Sequence, residues 1–204
     1  MERKSTAHEK GRRKPSGAAV FRSELTSALF VAFFQEWAQT GYRGISLEHV
    51  AARAGAGKAA IYRRWPSKLE FAREAVRSVE MMRLDFSDQG SLQADIRSYL
   101  RATRTVLRHP LVRRIIPDLI AERLRSNELS SMLDGIAVAR RQLGIQLLDR
   151  AIARNELHPG IDKELAMDLL FSSLYARMII RRQKFTQADL EQFIIALDAA
   201  LKAC

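Results

Sequence analysis

The sequence predicts an all-α protein of about nine helices. Apolar residues recur every three or four positions along most of the chain, for example at Leu25, Leu29, Phe33 and Trp37, which would share one face of a helix. No segment shows a convincing alternation of apolar and polar residues with the period of two that is typical of a strand. Capping residues, glycines and prolines separate the periodic stretches, and such residues mark helix ends.

Four helices are predicted before residue 85. Gly41 ends the first helix, and Ser46 caps the second because a serine hydroxyl can accept a hydrogen bond from a free N–H group of the first turn. Residues 55–57, Gly-Ala-Gly, are predicted to form a turn, and Pro66 ends the third helix. The predicted helices run from Val20 to Gln39, from Ser46 to the glycine turn, from Lys58 to Arg64 and from Lys68 to Arg83.

Five further helices are predicted after the polar segment Ser87–Ser91, which is the best candidate for a boundary between domains. The fifth helix stops at His109-Pro110, and Pro117 is expected to break or kink the sixth. The sequence His158-Pro159-Gly160 predicts a turn between the seventh and eighth helices. The fifth helix begins at Leu92, the sixth ends near Leu124, and the last three run from Glu128 to Asn155, from about Lys163 to Arg181 and from Gln187 to Ala203.

The chain is strongly basic, and the excess of positive charge is uneven. The net charge is +11 over 204 residues, and the sequence pI is about 10.4. Residues 1–85 contain 16 lysines and arginines against 9 acidic residues (+7), whereas residues 86–204 contain 18 against 14 (+4). This distribution favours a polyanionic partner of the first region, such as nucleic acid. A basic pI alone is weaker evidence, since basic proteins also bind membranes and acidic partners.

The cysteine content and the hydropathy pattern predict a soluble cytoplasmic protein. Cys204 is the single cysteine, so no internal disulfide is possible and a reducing compartment is expected. No apolar run reaches the roughly 18 residues of a transmembrane helix, and we expect no membrane partner. The basic N-terminus is not followed by the apolar core of a secretory signal.

The predicted third helix, residues 58–64, carries side chains suited to DNA. Two short helices joined by a glycine turn have the layout of a helix-turn-helix, whose second helix enters the major groove. Lys58 lies at the helix N-terminus, where free N–H groups already favour a phosphate. Tyr62 can bind a phosphate or stack on a sugar. Arg63 and Arg64 are about 100° apart on the helix, so one can reach a base edge while the other contacts the backbone.

Smaller and flanking residues complete the predicted DNA contact. Ala59 and Ala60 are small enough for a close approach to the groove, and Lys68 can bind a flanking phosphate. The alternative is a solvated basic surface with no partner. The residues predicted to contact DNA are Ser46, Leu47, Lys58, Ala59, Ala60, Tyr62, Arg63, Arg64 and Lys68.

From about Leu25 to Phe71 the chain resembles the DNA-binding domain of the TetR family of transcriptional regulators. The residues that carry the resemblance are Gly41-Tyr42, Ser46, the run 50–55 (Val-Ala-Ala-Arg-Ala-Gly) and above all the run 61–68 (Ile-Tyr-Arg-Arg-Trp-Pro-Ser-Lys). A looser similarity continues at 155–159, at 162–166 and at Leu174-Tyr175. Two positions depart from the family pattern, because Ala60 is often threonine there and Gly57 is often serine. Both changes remove a hydroxyl, so phosphate binding is expected to depend more on Lys58 and the arginines.

The resemblance implies phosphate contacts from Lys58, Tyr62 and Lys68, and base or backbone contacts from residues 59, 60, 63 and 64. It also implies an N-terminal three-helix domain followed by a larger helical domain for ligand binding and dimerisation. The expected regions are a disordered basic arm (1–20), a helix-turn-helix domain (21–66, motif at about 46–65) and a regulatory and dimerisation domain (67–204). The arm, whose cations are Arg3, Lys4, Lys10, Arg12, Arg13 and Lys14, would follow a minor groove or serve only as a solubilising tail.

The last two predicted helices carry apolar residues on more than one side. A helix with two apolar faces must bury both, so it needs a partner beyond its own core. In the family that the sequence resembles, these helices form a four-helix bundle with those of a second copy, which predicts a two-fold homodimer; the alternative is a larger monomeric core. The predicted interface residues are Phe171, Leu174, Met178, Phe193, Ile194, Leu197 and Leu201.

The resemblance also implies a pocket for an unknown small-molecule effector, enclosed by the fifth to eighth helices. An effector that prefers a conformer with wrongly spaced DNA-binding heads would release the operator, because only a differential affinity for two states shifts their populations. Each candidate lining residue has the alternative of being an ordinary surface or core residue. The candidates are Tyr99, Thr103, Arg104, Asp118, Gln146, Ser173 and Tyr175.

The sequence predicts no catalytic residues, no cofactor and no metal site. The four histidines lie far apart, and neither a Glu-x-x-His pair nor a nucleophile elbow is present. We therefore expect a sequence-specific DNA-binding regulator, most readily a repressor released from a palindromic operator by a small-molecule effector. The alternatives are a DNA-binding protein without sequence preference and a helical enzyme.

Overall fold

The structure is a computed structural model that describes residues 17–80 and 87–204. The prediction of an all-α protein is confirmed: within these residues there are nine α-helices and no strand. The helices are α1 (Gly17–Gly44), α2 (Leu47–Arg53), α3 (Lys58–Arg64), α4 (Lys68–Glu80), α5 (Leu92–Arg108), α6 (Pro110–Arg123), α7 (Asn127–Ala153), α8 (Lys163–Tyr175) and α9 (Gln187–Ala203). Most of the predicted basic arm and the end of the predicted fourth helix lie outside the described residues.

Helix bounds agree with the prediction where local signals are strong. α3 and α9 have the predicted bounds, and α9 begins with a capping box in which Thr186 and Asp189 exchange hydrogen bonds. α6 continues through Pro117, so of the predicted break or kink the break is wrong. The eighth helix also differs: a π-helical turn, Ala176–Ile180, follows α8, and the N–H of Arg181 donates to the carbonyl of Ala176 at 2.9 Å.

Two hydrophobic clusters make up the interior of the described chain. The first lies among α1 to α4, where Phe33, Trp37, Ile61 and Phe71 are almost completely buried. Ile115 from α6 and Leu129 from α7 also belong to this cluster. The second cluster is formed by α5, α7, α8, the π-helical turn and α9. We call α1 to α3 the head and α5 to α9 the body. α4 packs with the head. The predicted domain boundary at residue 66 stays a prediction.

The helices of the described segments do not include a membrane span. None of them is both long enough and apolar enough to cross a lipid bilayer.

Candidate nucleic-acid interface

α2 and α3 are joined by a short turn that depends on glycine. Ser46 caps α2, and its hydroxyl accepts a hydrogen bond from the N–H of His49 at 3.3 Å. At the other end of α2, Gly55 has a φ of 69°, a left-handed conformation that glycine adopts without steric cost. Gly57 then precedes the first residue of α3, Lys58. These local features give the helix-turn-helix arrangement that the sequence predicts.

α3 is held by its apolar side. Ile61 and Trp65 are buried, and the Trp65 ring contacts Phe71 at 4.5 Å and Phe30 at 5.9 Å between centroids. The indole N–H of Trp65 donates to Glu74 Oε2 at 2.7 Å. Aromatic packing of this kind fixes the rotation of a helix about its axis, so α3 presents its opposite side to solvent.

α2 is attached to α1 through a buried carboxylate. Glu36 is only 3% exposed, and its Oε2 accepts a hydrogen bond from Arg53 Nη2 at 3.0 Å. Its Oε1 lies 3.3 Å from His49 Nδ1. A buried charge needs such partners. Because Arg53 and His49 are both on α2, this cluster sets where α2, and therefore the turn after it, sits on the head.

The exposed side of α3 carries Lys58, Ala59, Tyr62, Arg63 and Arg64, while Ala60 is half-buried. The structure therefore exposes five of the six predicted α3 residues to solvent. We call Lys58, Tyr62 and Arg63 the cationic face of α3. Their shared exposure is the property that a helix entering a major groove requires.

Glu48 of α2 lies against this cationic face. Its Oε1 is 2.8 Å from Lys58 Nζ and accepts a 3.1 Å hydrogen bond from the Tyr62 hydroxyl. Its Oε2 accepts a hydrogen bond from Ser46 Oγ at 3.0 Å. The Lys58 ammonium lowers the pKa of Glu48 from 4.5 to about 2, and the same contact raises the pKa of Lys58. The hydrogen bond that Tyr62 donates to Glu48 raises the pKa of Tyr62. All three groups are in their usual charge states at neutral pH.

The two adjacent arginines differ in their surroundings. Arg64 donates to Glu74 Oε1 at 2.6 Å and to Thr26 Oγ1 at 2.5 Å, and its guanidinium stacks 4.4 Å from the Trp65 ring centre. Arg64 therefore links α3 to α1 and α4. Arg63 is exposed, and the described residues give it no recorded ion pair or hydrogen bond.

Lys68 closes the C-terminal end of α1. Its ammonium donates to the carbonyls of Tyr42 and Arg43, both at 3.0 Å, and lies 5.0 Å from the Tyr42 ring centre. Partial burial lowers the pKa of Lys68. The lysine thus stabilises orphan carbonyls at a helix end in the free protein.

The side chain of Leu47 requires a correction. It is only 4% exposed and packs in the first hydrophobic cluster, so it is not available to a duplex; a contact through the backbone N–H of Leu47 stays a prediction. The physical reason is that Leu47 shares one side of α2 with Val50 and Ala51, which are also buried. Ser46 is half-buried, and its hydroxyl is engaged with Glu48 and with the N–H of His49.

The candidate pocket residues do not form one site. Asp118 accepts hydrogen bonds from Trp37 and from the N–H of Tyr42, so it joins α6 to the head. Arg104 donates to the carbonyl of Thr186 at the start of α9, and Gln146 is exposed. These three predicted lining residues are corrected as members of one enclosed pocket, because Asp118 is bonded to the head, Arg104 is bonded to the carbonyl that precedes α9, and Gln146 faces solvent.

The other four pocket candidates lie on α5 and α8. Tyr99 is 2% exposed and interacts with Thr103 one turn later on α5. The hydroxyls of Ser173 and Tyr175 are buried and have no hydrogen-bond partner among the described residues. The positive charge of Arg140 on α7 acts on both Tyr99 and Tyr175, although burial raises the pKa of both tyrosines. Arg140 was not among the predicted residues, since nothing in its spacing relates it to α5 or α8.

The predicted dimer interface also requires a correction. Five of its seven residues are buried within the single chain. They belong to the second hydrophobic cluster, to which α8, the π-helical turn and α9 contribute their inward-facing sides. Phe171 and Phe193 are half-buried. The five buried residues are Leu174, Met178, Ile194, Leu197 and Leu201.

Comparisons with known proteins agree with this architecture. Residues 30–75 match the family described as bacterial regulatory proteins, tetR family, and residues 86–197 match the tetracyclin repressor-like C-terminal domain. The chain is 31% identical over 172 residues to the DNA-binding transcriptional repressor TetR of Mycobacteroides abscessus, covering 79% of this chain and 86% of that protein.

Solved structures of low sequence identity share the fold. NalD, the secondary repressor of the MexAB-OprM multidrug efflux pump in Pseudomonas aeruginosa, is 23% identical and aligns with a TM-score of 0.64 over 88% of this chain and 97% of its own. FadR from Bacillus subtilis, solved in complex with stearoyl-CoA, is 17% identical and aligns with a TM-score of 0.68 over 87% of this chain and 97% of its own.

Proposed function

The chain belongs to the TetR family of DNA-binding transcriptional regulators, and we propose that it represses transcription from a palindromic operator and is released by a small-molecule effector. The observation that carries this proposal is the cationic face of α3. Lys58, Tyr62 and Arg63 point to solvent from a short helix whose other side is held by Ile61 and Trp65. A rigid helix with an exposed cationic edge is what major-groove binding needs.

The side chains divide into phosphate and base contacts. Lys58 and Tyr62, at the N-terminal half of α3, bind phosphate oxygens or sugar. Arg63 is the candidate for a base contact, because arginine binds the O6 and N7 atoms of guanine with two hydrogen bonds. Ala59 and Ala60 allow close approach, and Arg64 holds the orientation of α3 through Glu74. Ser46 is the N-cap of α2 and Lys68 is the first residue of α4, and each can reach a flanking phosphate once its internal contact is broken.

The protein acts as a two-fold dimer through the exposed sides of α8 and α9. Ile195 is 65% exposed on α9 and Leu165 is 48% exposed on α8. Ala196 and Ala199 are exposed beside Ile195 and leave room for a second helix to approach closely. Exposed apolar positions on two helices mark an interaction surface. A dimer built on it has two heads, which would bind half-sites roughly 34–36 Å apart.

The effector binds among α5, α7 and α8, where polar groups are buried within an apolar cluster. The unpartnered hydroxyls of Ser173 and Tyr175 support this location, because a buried hydroxyl without a partner costs free energy that a ligand can recover. Tyr99, Thr103 and Arg140 are the other polar residues of this region. The effector would favour a conformer with wrongly spaced heads and so release the DNA. As a regulator of transcription, the protein would act in the cytoplasm, where bacterial DNA lies.

Sequencing the DNA that the purified protein selects from a random pool tests the proposal. We expect an inverted repeat whose half-sites are one helical turn apart. Competition between the selected duplex and random DNA then measures specificity, and equal affinities would favour a DNA-binding protein without sequence preference. Titration of a metabolite library against the operator complex tests release; a library that never shifts the binding curve argues against an effector.

A further inference from the structure

The carboxylate of Glu48 joins Lys58 and Tyr62, the two side chains of the cationic face that are proposed to bind a DNA phosphate. Lys58 Nζ and the Tyr62 hydroxyl both converge on a single oxygen, Glu48 Oε1, at 2.8 and 3.1 Å. Ser46 Oγ donates to the other oxygen. An ammonium and a hydroxyl at these distances are also the groups that would bind a phosphate oxygen.

A phosphate oxygen can therefore take this shared position between Lys58 and Tyr62 only by displacing Glu48. The carboxylate is 43% exposed and carries its full charge at neutral pH, so it also repels an approaching phosphate. Displacement costs the contacts to Lys58 and Tyr62 on every duplex, whatever its sequence. This cost reduces binding to random DNA, which depends almost entirely on phosphate contacts.

We propose that Glu48 is a specificity-determining residue of the DNA-binding head, which lowers the affinity for every duplex and recovers the loss only on sequences that offer its carboxylate a hydrogen-bond donor. The inference rests on the proposed DNA-binding function of α3. In the major groove the donors available to a carboxylate are the amino groups of cytosine (N4) and adenine (N6). Every base pair carries one of these amino groups on one of its strands, so Glu48 rejects duplexes that place thymine or guanine, and not adenine or cytosine, at the base it reaches.

The test compares Glu48→Gln with Glu70→Gln on a random-sequence duplex and on the selected operator. Glu70 is exposed on α4, and its side chain has no recorded contact among the described residues, so its substitution makes the same change in net charge without touching α3. We expect Glu48→Gln to bind random DNA about two- to fivefold more tightly than Glu70→Gln does, which is the range of an exposed ion pair. The affinity of Glu48→Gln for the operator should increase less than its affinity for random DNA. The ratio of operator affinity to random-DNA affinity should therefore fall.

Salt dependence and a double-mutant cycle add independent measurements. The slope of log K against log salt reports the net number of cations released when the protein binds DNA. In wild type the freed Glu48 carboxylate takes up a cation on binding, which reduces this number. Glu48→Gln lacks that uptake, so its slope should be steeper by about one ion per head. Glu70→Gln should leave the slope unchanged. In a Lys58→Met background the gain from Glu48→Gln should fall to less than half, because the main partner of Glu48 is then absent.

The outcomes separate this inference from the proposed function. If wild type has the same affinity for all duplexes, the proposed regulator function fails. If wild type prefers its operator but Glu48→Gln and Glu70→Gln behave alike on random DNA, the role of Glu48 is overturned. DNA selection by Glu48→Gln gives a further check: a relaxed preference at one cytosine or adenine per half-site supports the inference, and an unchanged motif contradicts it.

Discussion

The indole N–H of Trp37 donates a 2.7 Å hydrogen bond to Oδ2 of Asp118, which lies 81 residues later in the chain. The same oxygen accepts the backbone N–H of Tyr42 at 2.9 Å. Between them, Gly41 has a φ of 72° and a ψ of 164°, a conformation that is essentially restricted to glycine. The C-terminal end of α1 is therefore attached to α6, and a movement of α6 in the body would be transmitted to the head.

Gly41→Ala should destabilise the protein more than Gly55→Ala. Both glycines have positive φ, but a Cβ at Gly41 would lie 3.0 Å from Asp118 Oδ1, whereas one at Gly55 would meet no atom within 4 Å. We expect the free energy of unfolding to fall by about 2–3 kcal/mol for Gly41→Ala and by about 1 kcal/mol for Gly55→Ala. Urea denaturation measures both, and equal losses would show that the approach to Asp118 is unimportant.

Arg63→Ala and Arg64→Ala should separate DNA contact from positioning. Arg63→Ala should weaken operator binding by about 1–3 kcal/mol and relax specificity without changing thermal stability. Arg64→Ala should lower the free energy of unfolding by up to about 1 kcal/mol, because its half-exposed pair with Glu74 is lost. The control is Glu74→Gln: if it retains full operator affinity while Arg64→Ala loses it, Arg64 contacts DNA directly.

Lys58→Met should raise the pKa of Glu48 from about 2 toward its ordinary value of 4.5. A carboxyl with a lowered pKa contributes stability that is present above its unfolded-state pKa and is lost as the pH falls through the folded-state pKa. In wild type this stability is lost between about pH 4.5 and about pH 2. In Lys58→Met the folded-state pKa moves toward 4.5, so the pH range over which stability is lost becomes narrower. NMR titration of the glutamate carboxyl carbons measures the pKa. Lys68→Met, which removes a lysine bound to the carbonyls of Tyr42 and Arg43, should leave it unchanged.

Asp95→Ala should cost far more stability than Asp149→Ala. The Asp95 side chain has no solvent exposure, and its oxygens lie 2.8 Å from Arg154 and 3.6 Å from Arg150. Removing one partner of a buried ion pair costs about 3–5 kcal/mol. We expect a loss in this range even though Arg154 keeps its pairs with Asp88 and Glu156, because Asp95 also accepts the backbone N–H of Gln89. Asp149 is half-exposed and pairs with Lys163, so its loss should cost less than about 1 kcal/mol. Chemical denaturation of both variants checks this difference, and similar losses would contradict it.

Ile195→Glu should convert the proposed dimer into a monomer. The side chain is exposed in the single chain, so a charge there leaves the core intact but is unfavourable in a closely packed interface. Sedimentation velocity of the variant should show one slower species at a concentration where wild type is dimeric. Ile120→Glu, at an exposed position of α6, is the control and should sediment as wild type does.

The bounds of α3 and α9 were predictable because their signals are local. A glycine turn and a proline delimit α3, and a threonine cap begins α9. The exposed side of α3 was also predictable, since apolar Ile61 and Trp65, four residues apart, must turn inward and leave Tyr62 and Arg63 outside. Leu47 was misjudged because spacing cannot distinguish an apolar residue at the edge of a surface from one just beneath it.

Composition, capping residues and helical periodicity were sufficient for the fold class and for the basic surface of the head, because both depend on residues within one or two turns of each other. The partners of that surface were not predictable. Glu48 meets Lys58 across the turn, Arg64 meets Thr26 38 residues away, and Asp118 meets Trp37 81 residues away. Such contacts arise only when packed helices bring distant segments together, and they determine which cations of the head are engaged within the protein.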